Sequence, residues 1–167
     1  MKHLTYGMIL LSLTLSAAIF GFFYAWVCST MWGLDAADPR VAISAMQAMN
    51  ASVRNAVFAP AFFGTPVALG AAAGLLLMRG HLRSAAAFAV GAGVYLCFGL
   101  VLTMMVNVPM NEALAMVAVP ADVESAGVIW REYSGPWQVW NQIRTVASGA
   151  AFLLALSGVM MVGRERV

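Results

Sequence analysis

Four long stretches of the chain contain no Asp, Glu, Lys or Arg, and they constrain the fold more than any other feature. They cover residues 4–34, 55–78, 84–111 and 145–163. A helix rises 1.5 Å per residue, so about 20 apolar residues cross the roughly 30 Å hydrocarbon core of a bilayer. Backbone polar groups in lipid must be satisfied within their own segment, so each stretch is predicted to be a helix. The predicted spans are about 5–27, 56–78, 84–106 and 143–163.

Composition supports the same class. Of the 167 residues, 62% are hydrophobic and 10% are charged, whereas an average soluble domain is roughly 25% charged. A soluble domain of this size has too little interior for so much apolar surface, and a disordered chain would be poor in apolar residues. We therefore predict an all-α integral membrane protein, with residues 1–167 forming a single four-transmembrane-helix bundle.

The first apolar segment resembles a secretory signal in its basic start, Lys2-His3. Its apolar run continues to Val27, however, well beyond the roughly 7–15 residues of a signal-peptide core. We therefore predict a retained first span in preference to a cleaved signal peptide.

Both termini are predicted to lie in the cytoplasm. Four spans place them on one side, where the basic residues sit against helix ends, as the positive-inside rule requires. That side holds Lys2, Arg79, Arg83, Arg164 and Arg166, and the other holds Arg40, Arg54, Arg131 and Arg144. All acidic residues except Glu165 lie away from the termini. The prediction is a multi-pass protein of the cytoplasmic (inner) membrane of a bacterium.

Two long extracytoplasmic connections, about 28–55 and 107–142, are predicted to be helical and to carry the function. In the first, Asp38-Pro39 fits an N-cap followed by proline at the first helical position. An amphipathic helix is predicted from there to Phe58, with Gln47, Asn50 and Arg54 on its polar line. Two interpretations stay open: a solvated polar face, or Asn50 and Arg54 directed into a site between helices.

The end of the third span carries polar residues four apart. Thr103, Asn107 and Asn111 are predicted to share one helix face, and Pro109 to bend the helix. An asparagine at this depth needs a hydrogen-bond partner. The asparagines either satisfy the bend and each other or line a polar cavity.

The second connection ends in aromatic, amide and basic residues. Gly135-Pro136 is typical of a helix start, after which Trp137, Asn141 and Arg144 fall on one face. Trp140 lies four residues before Arg144, which is close enough for the guanidinium to lie over its indole. The tryptophans also suit an interfacial belt. Arg144 either extends to the interface or faces inward beside an anionic ligand.

Several kinds of chemistry lack the residues they need. The chain has two cysteines, Cys28 and Cys97, predicted to lie at different depths and to stay unpaired, and no Cys-x-x-Cys motif. The sequence around His3 and His81 offers no set of His, Cys or carboxylate ligands for a haem or zinc site, so no metal and no cofactor is predicted. A net charge of +2 without a basic stripe predicts no nucleic-acid partner.

Three segments together resemble the anthrone oxygenase family of small four-span membrane proteins. They are the Asn107-Val-Pro-Met-Asn111-Glu112 pattern, the Trp130…Trp137-x-x-Trp140-Asn141-Gln142-Ile-Arg144-Thr145 pattern, and the segment from Met46 to Phe63. The last is similar to that family's first outer helix.

The resemblance implies oxidation of an apolar aromatic, anthrone-like substrate by molecular oxygen, without a cofactor, at the outer leaflet. Trp137 and Trp140 would stack the rings, while Asn107, Asn111, Asn141 and Arg144 would hold the enolate oxygens. Asn50 and Arg54 complete the candidate pocket. Many relatives carry histidine where this chain has Gln142, and glutamine cannot act as a base near neutral pH.

A second hypothesis is a non-catalytic membrane protein, either a small-molecule binder or an accessory subunit of a membrane complex. It follows from the missing histidine and the lack of cofactor ligands. The expected partners are the lipid bilayer and an apolar aromatic small molecule. A homo-oligomer or a protein partner in a membrane complex stays open.

Overall fold

The computed structural model describes residues 2–164 and confirms the predicted all-helical membrane bundle. Helices make up 88% of it, and no strand occurs among those residues. The elements in chain order are α1 (Lys2–Asp35), α2 (Pro39–Ser52), α3 (Phe58–Leu77), α4 (Leu82–Ala115) and α5 (Val123–Arg164). All but α2 are long and apolar enough to cross a membrane. The chain is therefore a multi-pass membrane protein.

The four long helices run alternately up and down. One core cluster joins Ile9 near the start of α1, Leu76 near the end of α3, Ala85 near the start of α4 and Val162 near the end of α5. We call this the terminal end and the opposite one, which carries α2, the distal end. Arg166 and Glu165, used in predicting the orientation, lie outside the described residues.

Close packing at the terminal end depends on two glycines. A Cβ added at Gly158 would lie 2.7 Å from the Phe88 ring, and one added at Gly91 would lie 3.1 Å from the carbonyl oxygen of Ala151. α4 and α5 therefore approach each other more closely than larger side chains would allow.

Three of the long helices are longer than the bilayer core is thick. α1 and α4 each have 34 residues and α5 has 42, so they extend roughly 50 and 63 Å against a hydrocarbon core of about 30 Å. Their distal ends surround Ile43 and Met46 of α2, which are fully buried. This is the part of the molecule that holds the candidate site.

The prediction of a separate helix beginning at Gly135-Pro136 is wrong. α5 runs continuously through Pro136, and the second connection shrinks to residues 116–122. Proline in a helix leaves the carbonyl four residues earlier without its donor. Here that carbonyl belongs to Glu132, and both residues are exposed, so solvent can satisfy it.

The N-cap prediction for α2 is confirmed. Asp38 accepts a hydrogen bond from the backbone N–H of Arg40 at 2.9 Å, with proline at the first helical position. The helix ends at Ser52 instead of Phe58 because Asn55 starts α3, accepting from the N–H groups of Val57 and Phe58. Arg54 consequently lies in the turn between the two helices.

A second proline, Pro66, lies inside α3 and has a partner on another helix. It cannot donate to the carbonyl oxygen of Phe62. The hydroxyl of Tyr95 on α4 donates to that oxygen at 2.9 Å. The ring of Tyr95 lies against Gly99, where a Cβ would come within 2.7 Å of it. This contact joins the two helices just beneath the candidate site.

Three π-helical turns interrupt the long helices, at Trp26–Thr30 in α1 and at Tyr95–Val101 and Thr103–Asn107 in α4. A π turn bonds residue i to i+5 and so inserts one extra residue into the helical register. Trp26–Thr30 and Thr103–Asn107 lie towards the distal end, whereas Tyr95–Val101 spans the middle of α4. Pro109 lies two residues after the last turn, and its missing N–H leaves the carbonyl of Met105 in that turn without its usual donor.

Asp35 fastens the end of α1 to α5. Its carboxylate accepts hydrogen bonds from Trp130 Nε1 at 2.9 Å, Ser134 Oγ at 2.6 Å and Gln138 Nε2 at 2.8 Å. The three donors are four residues apart and therefore share one face of α5.

Candidate functional site: an aromatic cavity around Arg144

A cavity of about 580 Å³ lies between the helices towards the distal end. It falls within the 300–1,000 Å³ range of small-molecule pockets. Side chains from α1 to α5 all contribute to its lining, and so does the turn after α2.

Aromatic side chains form a large part of the cavity wall. The rings contact each other across helices: Phe22 and Phe58 have centroids 4.9 Å apart, and Trp26 and Trp137 have centroids 5.2 Å apart. The aromatic lining residues are Phe22, Phe23, Trp26, Phe58, Phe62, Phe63 and Trp137. Such a wall suits a flat apolar ligand, because aromatic faces stack well.

Arg144 is a guanidinium buried in this wall, with only 5% of the residue exposed. Its carbon Cζ lies 4.5 Å from the ring centroid of Phe23 and 4.9 Å from that of Trp137. Nε donates to Asn141 Oδ1 at 2.9 Å, and Nη1 makes a long 3.5 Å bond to Thr103 Oγ1. Asn141 in turn donates to the carbonyl oxygen of Phe23. The guanidinium is therefore held in one orientation.

No carboxylate among residues 2–164 forms an ion pair with Arg144; the pairs there are Arg40–Asp38 and Arg54–Glu112. A charge in an apolar interior is costly unless it is paired or well bonded. The two rings recover part of that cost through cation–π attraction. A guanidinium has five N–H donors, and the bonds above use two, so the group can still donate to a ligand oxygen.

A second candidate donor in the lining is Asn111. The Oδ1 atom of Asn111 accepts from the hydroxyl of Tyr133 at 2.8 Å and from Trp137 Nε1 at 2.9 Å. Asn50 donates to the same Tyr133 hydroxyl over 3.4 Å. Both bonds fall on its oxygen, and Asn111 lines the cavity, so its amide nitrogen is a candidate donor to a ligand there.

Arg54 and Glu112 form an ion pair at the cavity mouth. The distance from Arg54 Nη2 to Glu112 Oε1 is 3.2 Å, and the two side chains are 60% and 58% exposed. Exposed pairs contribute little to stability. Both residues line the cavity, so the pair sets the charge at its opening.

The structure brings five of the eight candidate residues into the lining. These are Asn50, Arg54, Asn111, Trp137 and Arg144. Asn50 and Arg54 thus both border the cavity, the second of the two interpretations, although Arg54 lies in the turn after α2 and its side chain is exposed. Asn141 lies behind the wall and orients Arg144.

Trp140 is outside the lining, and Arg144 does not lie over its indole, the contact that their spacing allows. The guanidinium packs on Trp137, two helical turns away, and on Phe23 of another helix. Arg144 faces the bundle interior, the second of the two interpretations for this residue.

Asn107 is also outside the lining. It is fully buried, and neither its Oδ1 nor its Nδ2 has a hydrogen-bond partner. Thr103 and Asn111 do line the cavity, so the three residues do not share one face. The reason is the π turn Thr103–Asn107, which rotates Asn107 away from the position that a regular helix would give it.

Sequence reasoning missed the other side chains around Arg144. Phe23 and Thr103 contact the guanidinium, and Tyr133 holds Asn111. Glu112 was seen only as part of a motif. Phe23 had no signal, since it is one apolar residue among many in α1. Tyr133 lies four residues before Trp137 on the same helix face, which could have indicated it.

The lining offers few groups for metal or acid–base chemistry. Among the described residues, no cluster of three or more His, Cys, Asp or Glu could hold a metal ion. The lining contains no histidine or cysteine, and Glu112 is its one acidic residue. Gln142, at the position where many relatives have histidine, is exposed and does not line the cavity.

A second, wholly apolar groove of about 550 Å³ lies between α1 and α3, lined by residues such as Leu11, Leu15 and Val67. Leu11 and Val67 are exposed on the outside of the spans, so the groove faces the acyl chains. It shares Ala59 and Phe63 with the cavity.

A family model described as "Anthrone oxygenase" matches residues 55–154, more than half of the chain. The chain belongs to the anthrone oxygenase family. A comparison with curated proteins found no match, and neither did a comparison with solved structures.

The family match covers the polar lining residues of α4 and α5 but not Asn50 and Arg54. Thr103, Asn111, Glu112, Trp137 and Arg144 all fall within residues 55–154. The family segment ends well after Arg144 and begins after α2. The resemblance of the Met46–Asn50 segment to the family therefore stays a prediction.

Proposed function

We propose that the protein binds a flat aromatic molecule with an acidic C–H group next to a conjugated carbonyl, as in an anthrone, and oxidises it with molecular oxygen. The proposal includes no cofactor. The observation that carries it is Arg144, a buried cation without a carboxylate partner that borders an aromatic cavity.

The cavity wall supports this class of substrate. Aromatic rings from α1, α3 and α5 offer stacking surfaces to a fused ring system, and the volume is that of a small-molecule site. Trp137 is fixed by its bond to Asn111, so this face is already ordered before a ligand binds.

The donors support the chemistry. Loss of the C–H proton leaves a delocalised carbanion whose negative charge resides largely on the carbonyl oxygen. Fixed donors in an apolar site stabilise such an oxyanion strongly. Arg144 and the amide nitrogen of Asn111 are the candidate donors, and the electron-rich carbanion can then reduce oxygen directly.

The test is oxygen uptake and quinone formation by the purified protein in nanodiscs with anthrone as substrate. Arg144→Gln removes the cation and is expected to lower turnover about 100-fold or more. Arg131→Gln, an exposed arginine on the same helix, is the matched control and should keep wild-type turnover. Equal rates for wild type and Arg144→Gln would contradict the proposal.

The second candidate function is ligand binding without turnover. It is supported by the absence of a histidine from the cavity lining. In this case anthrone would quench the fluorescence of Trp26 and Trp137, and Arg144→Gln would weaken binding, but oxygen uptake would stay at the rate of empty nanodiscs. An accessory role in a membrane complex would additionally require a co-purifying protein.

We also propose the cytoplasmic membrane of a bacterium as the location, with the cavity at the outer leaflet. Basic residues next to the helix ends at the terminal end support this orientation. Reporter fusions test it: a cytoplasm-dependent fluorescent protein fused after residue 167 should be active, whereas a periplasm-dependent phosphatase there should not.

A further inference from the structure

Glu112 is the one acidic side chain in the cavity lining, which also contains no histidine, cysteine or tyrosine. A second carboxylate at the distal end, Asp35, is occupied by three hydrogen bonds from α5 and does not line the cavity. If a side chain of this cavity accepts a proton near neutral pH, the lining offers Glu112 alone for it.

The position of Glu112 suits that task. Oε1 pairs with Arg54 Nη2 at 3.2 Å, and no bond to Oε2 occurs among the described residues. One carboxylate oxygen is thus held while the other is available. Glu112 directly follows Asn111, whose side chain is fixed by Tyr133 and Trp137, so its backbone is anchored at the cavity.

We propose that Glu112 is the proton acceptor of the site, an inference that rests on the proposed oxidation. Its carboxylate removes a proton from the CH₂ carbon of the bound ring system, and the C–H electron pair delocalises onto the carbonyl oxygen. The anion is held by Arg144. The base at the mouth and the cation in the wall therefore act on opposite ends of one conjugated system.

The remaining steps balance with oxygen as the oxidant. The carbanion adds to O₂ and forms a C–O bond, and protonated Glu112 returns its proton to the peroxide oxygen. Loss of the second C–H proton then breaks the O–O bond, leaving a ketone and water. Overall, CH₂ and O₂ become C=O and H₂O, with no electron donor other than the substrate.

Glu112→Gln keeps the size of the side chain and removes its basicity. Positioned general bases contribute about 10²–10⁴-fold, so turnover of anthrone in nanodiscs should fall at least 100-fold. Binding of the product anthraquinone, followed by tryptophan fluorescence, should change less than threefold. Glu112→Asp should recover part of the lost rate.

Two further measurements separate a base from a structural carboxylate. Glu132→Gln, which replaces an exposed carboxylate on α5 outside the lining, is the matched control and should keep wild-type turnover. Arg54→Gln breaks the same ion pair but keeps the carboxylate, so it should lose much less turnover than Glu112→Gln. Deuterium at the CH₂ carbon should slow the enzyme-dependent rate, and more so in Glu112→Asp.

The outcomes are distinguishable. If Glu112→Gln turned over as fast as an active wild type, the role of Glu112 would be overturned and the proposed function would stand. Equal losses in Arg54→Gln and Glu112→Gln would also overturn it, since the ion pair would then be what matters. A wild type without turnover would overturn the proposed function and this role with it.

Discussion

Arg144 and Asn107 are both polar, buried and on the long helices, yet their surroundings are opposite. Arg144 has two rings and two hydrogen-bond acceptors, and it borders a cavity. Asn107 has no partner for either side-chain atom. An amide buried without hydrogen-bond partners lowers the free energy of unfolding by about 1–3 kcal/mol. Asn107 therefore destabilises the folded protein.

Asn107→Leu should therefore raise the free energy of unfolding, by about 1–2 kcal/mol, because it removes two unsatisfied polar atoms at nearly constant volume. The measurement is thermal unfolding in detergent, followed by circular dichroism. Asn141→Leu is the matched control and should lower stability by about 1–3 kcal/mol, since Asn141 bonds Arg144 and Phe23. A destabilised Asn107→Leu protein would contradict this account.

At the level of elements, the contact between α3 and α4 depends on a proline in one helix and a hydroxyl in the other. Tyr95→Phe leaves the carbonyl oxygen of Phe62 without a donor and should lower the free energy of unfolding by about 1–3 kcal/mol. Tyr24→Phe, at an exposed tyrosine of α1, should have no measurable effect in the same melting assay.

The same account predicts an interaction between two substitutions. Pro66→Ala restores the N–H that normally bonds Phe62, so Tyr95→Phe should cost less in that background than in the wild type. An equal cost in both backgrounds would show that the Tyr95 hydroxyl does not compensate for the proline.

The start of α2 responds to pH. Hydrogen bonds from Arg40 lower the pKa of Asp38 from 3.8 to about 2. A carboxyl group whose pKa is lower in the folded than in the unfolded state stabilises the folded state at pH values above the unfolded pKa. This stabilisation is lost as the pH falls towards 2. Asp38→Asn keeps an N-cap but not the charge, so its melting temperature should lie below that of the wild type at pH 6 and meet it near pH 2.

The sequence predicts those elements whose signals come from residues close together in the chain. Uncharged stretches indicate the spans, and Asp38-Pro39 indicates the start of α2, because both signals are local. Pro136 misleads because proline is favoured in a first helical turn and also tolerated inside a long helix. The π turn Thr103–Asn107 has no sequence signature, so the displacement of Asn107 could not be foreseen.

The candidate site is predictable in part for the same reason. Arg144 stands out because an arginine near an apolar span needs an explanation. Its partners Phe23 and Thr103 come from other helices, and Asp35 meets donors about 100 residues away. Such pairings are a property of the packed bundle, so spacing along one helix, as for Trp140, selects the wrong ring.

At the scale of the whole molecule, the two ends differ in packing. Glycines bring α4 and α5 close at the terminal end, whereas towards the distal end the helices surround a cavity whose lining includes residues of two π turns, Trp26–Thr30 and Thr103–Asn107. π turns recur at functional sites. Rigid packing at one end thus supports an open site at the other.

The apolar groove between α1 and α3 meets the cavity at Ala59 and Phe63, which bears on how occupancy must be measured. An oily ligand arriving there is dissolved in acyl chains, so the relevant concentration is its mole fraction in the bilayer. Adding empty vesicles at fixed ligand and protein should lower the initial rate, about twofold per doubling of lipid below saturation. A rate independent of lipid would indicate loading from water. For such a protein, an apparent Michaelis constant in moles per litre depends on the lipid concentration of the assay as well as on the affinity of the site.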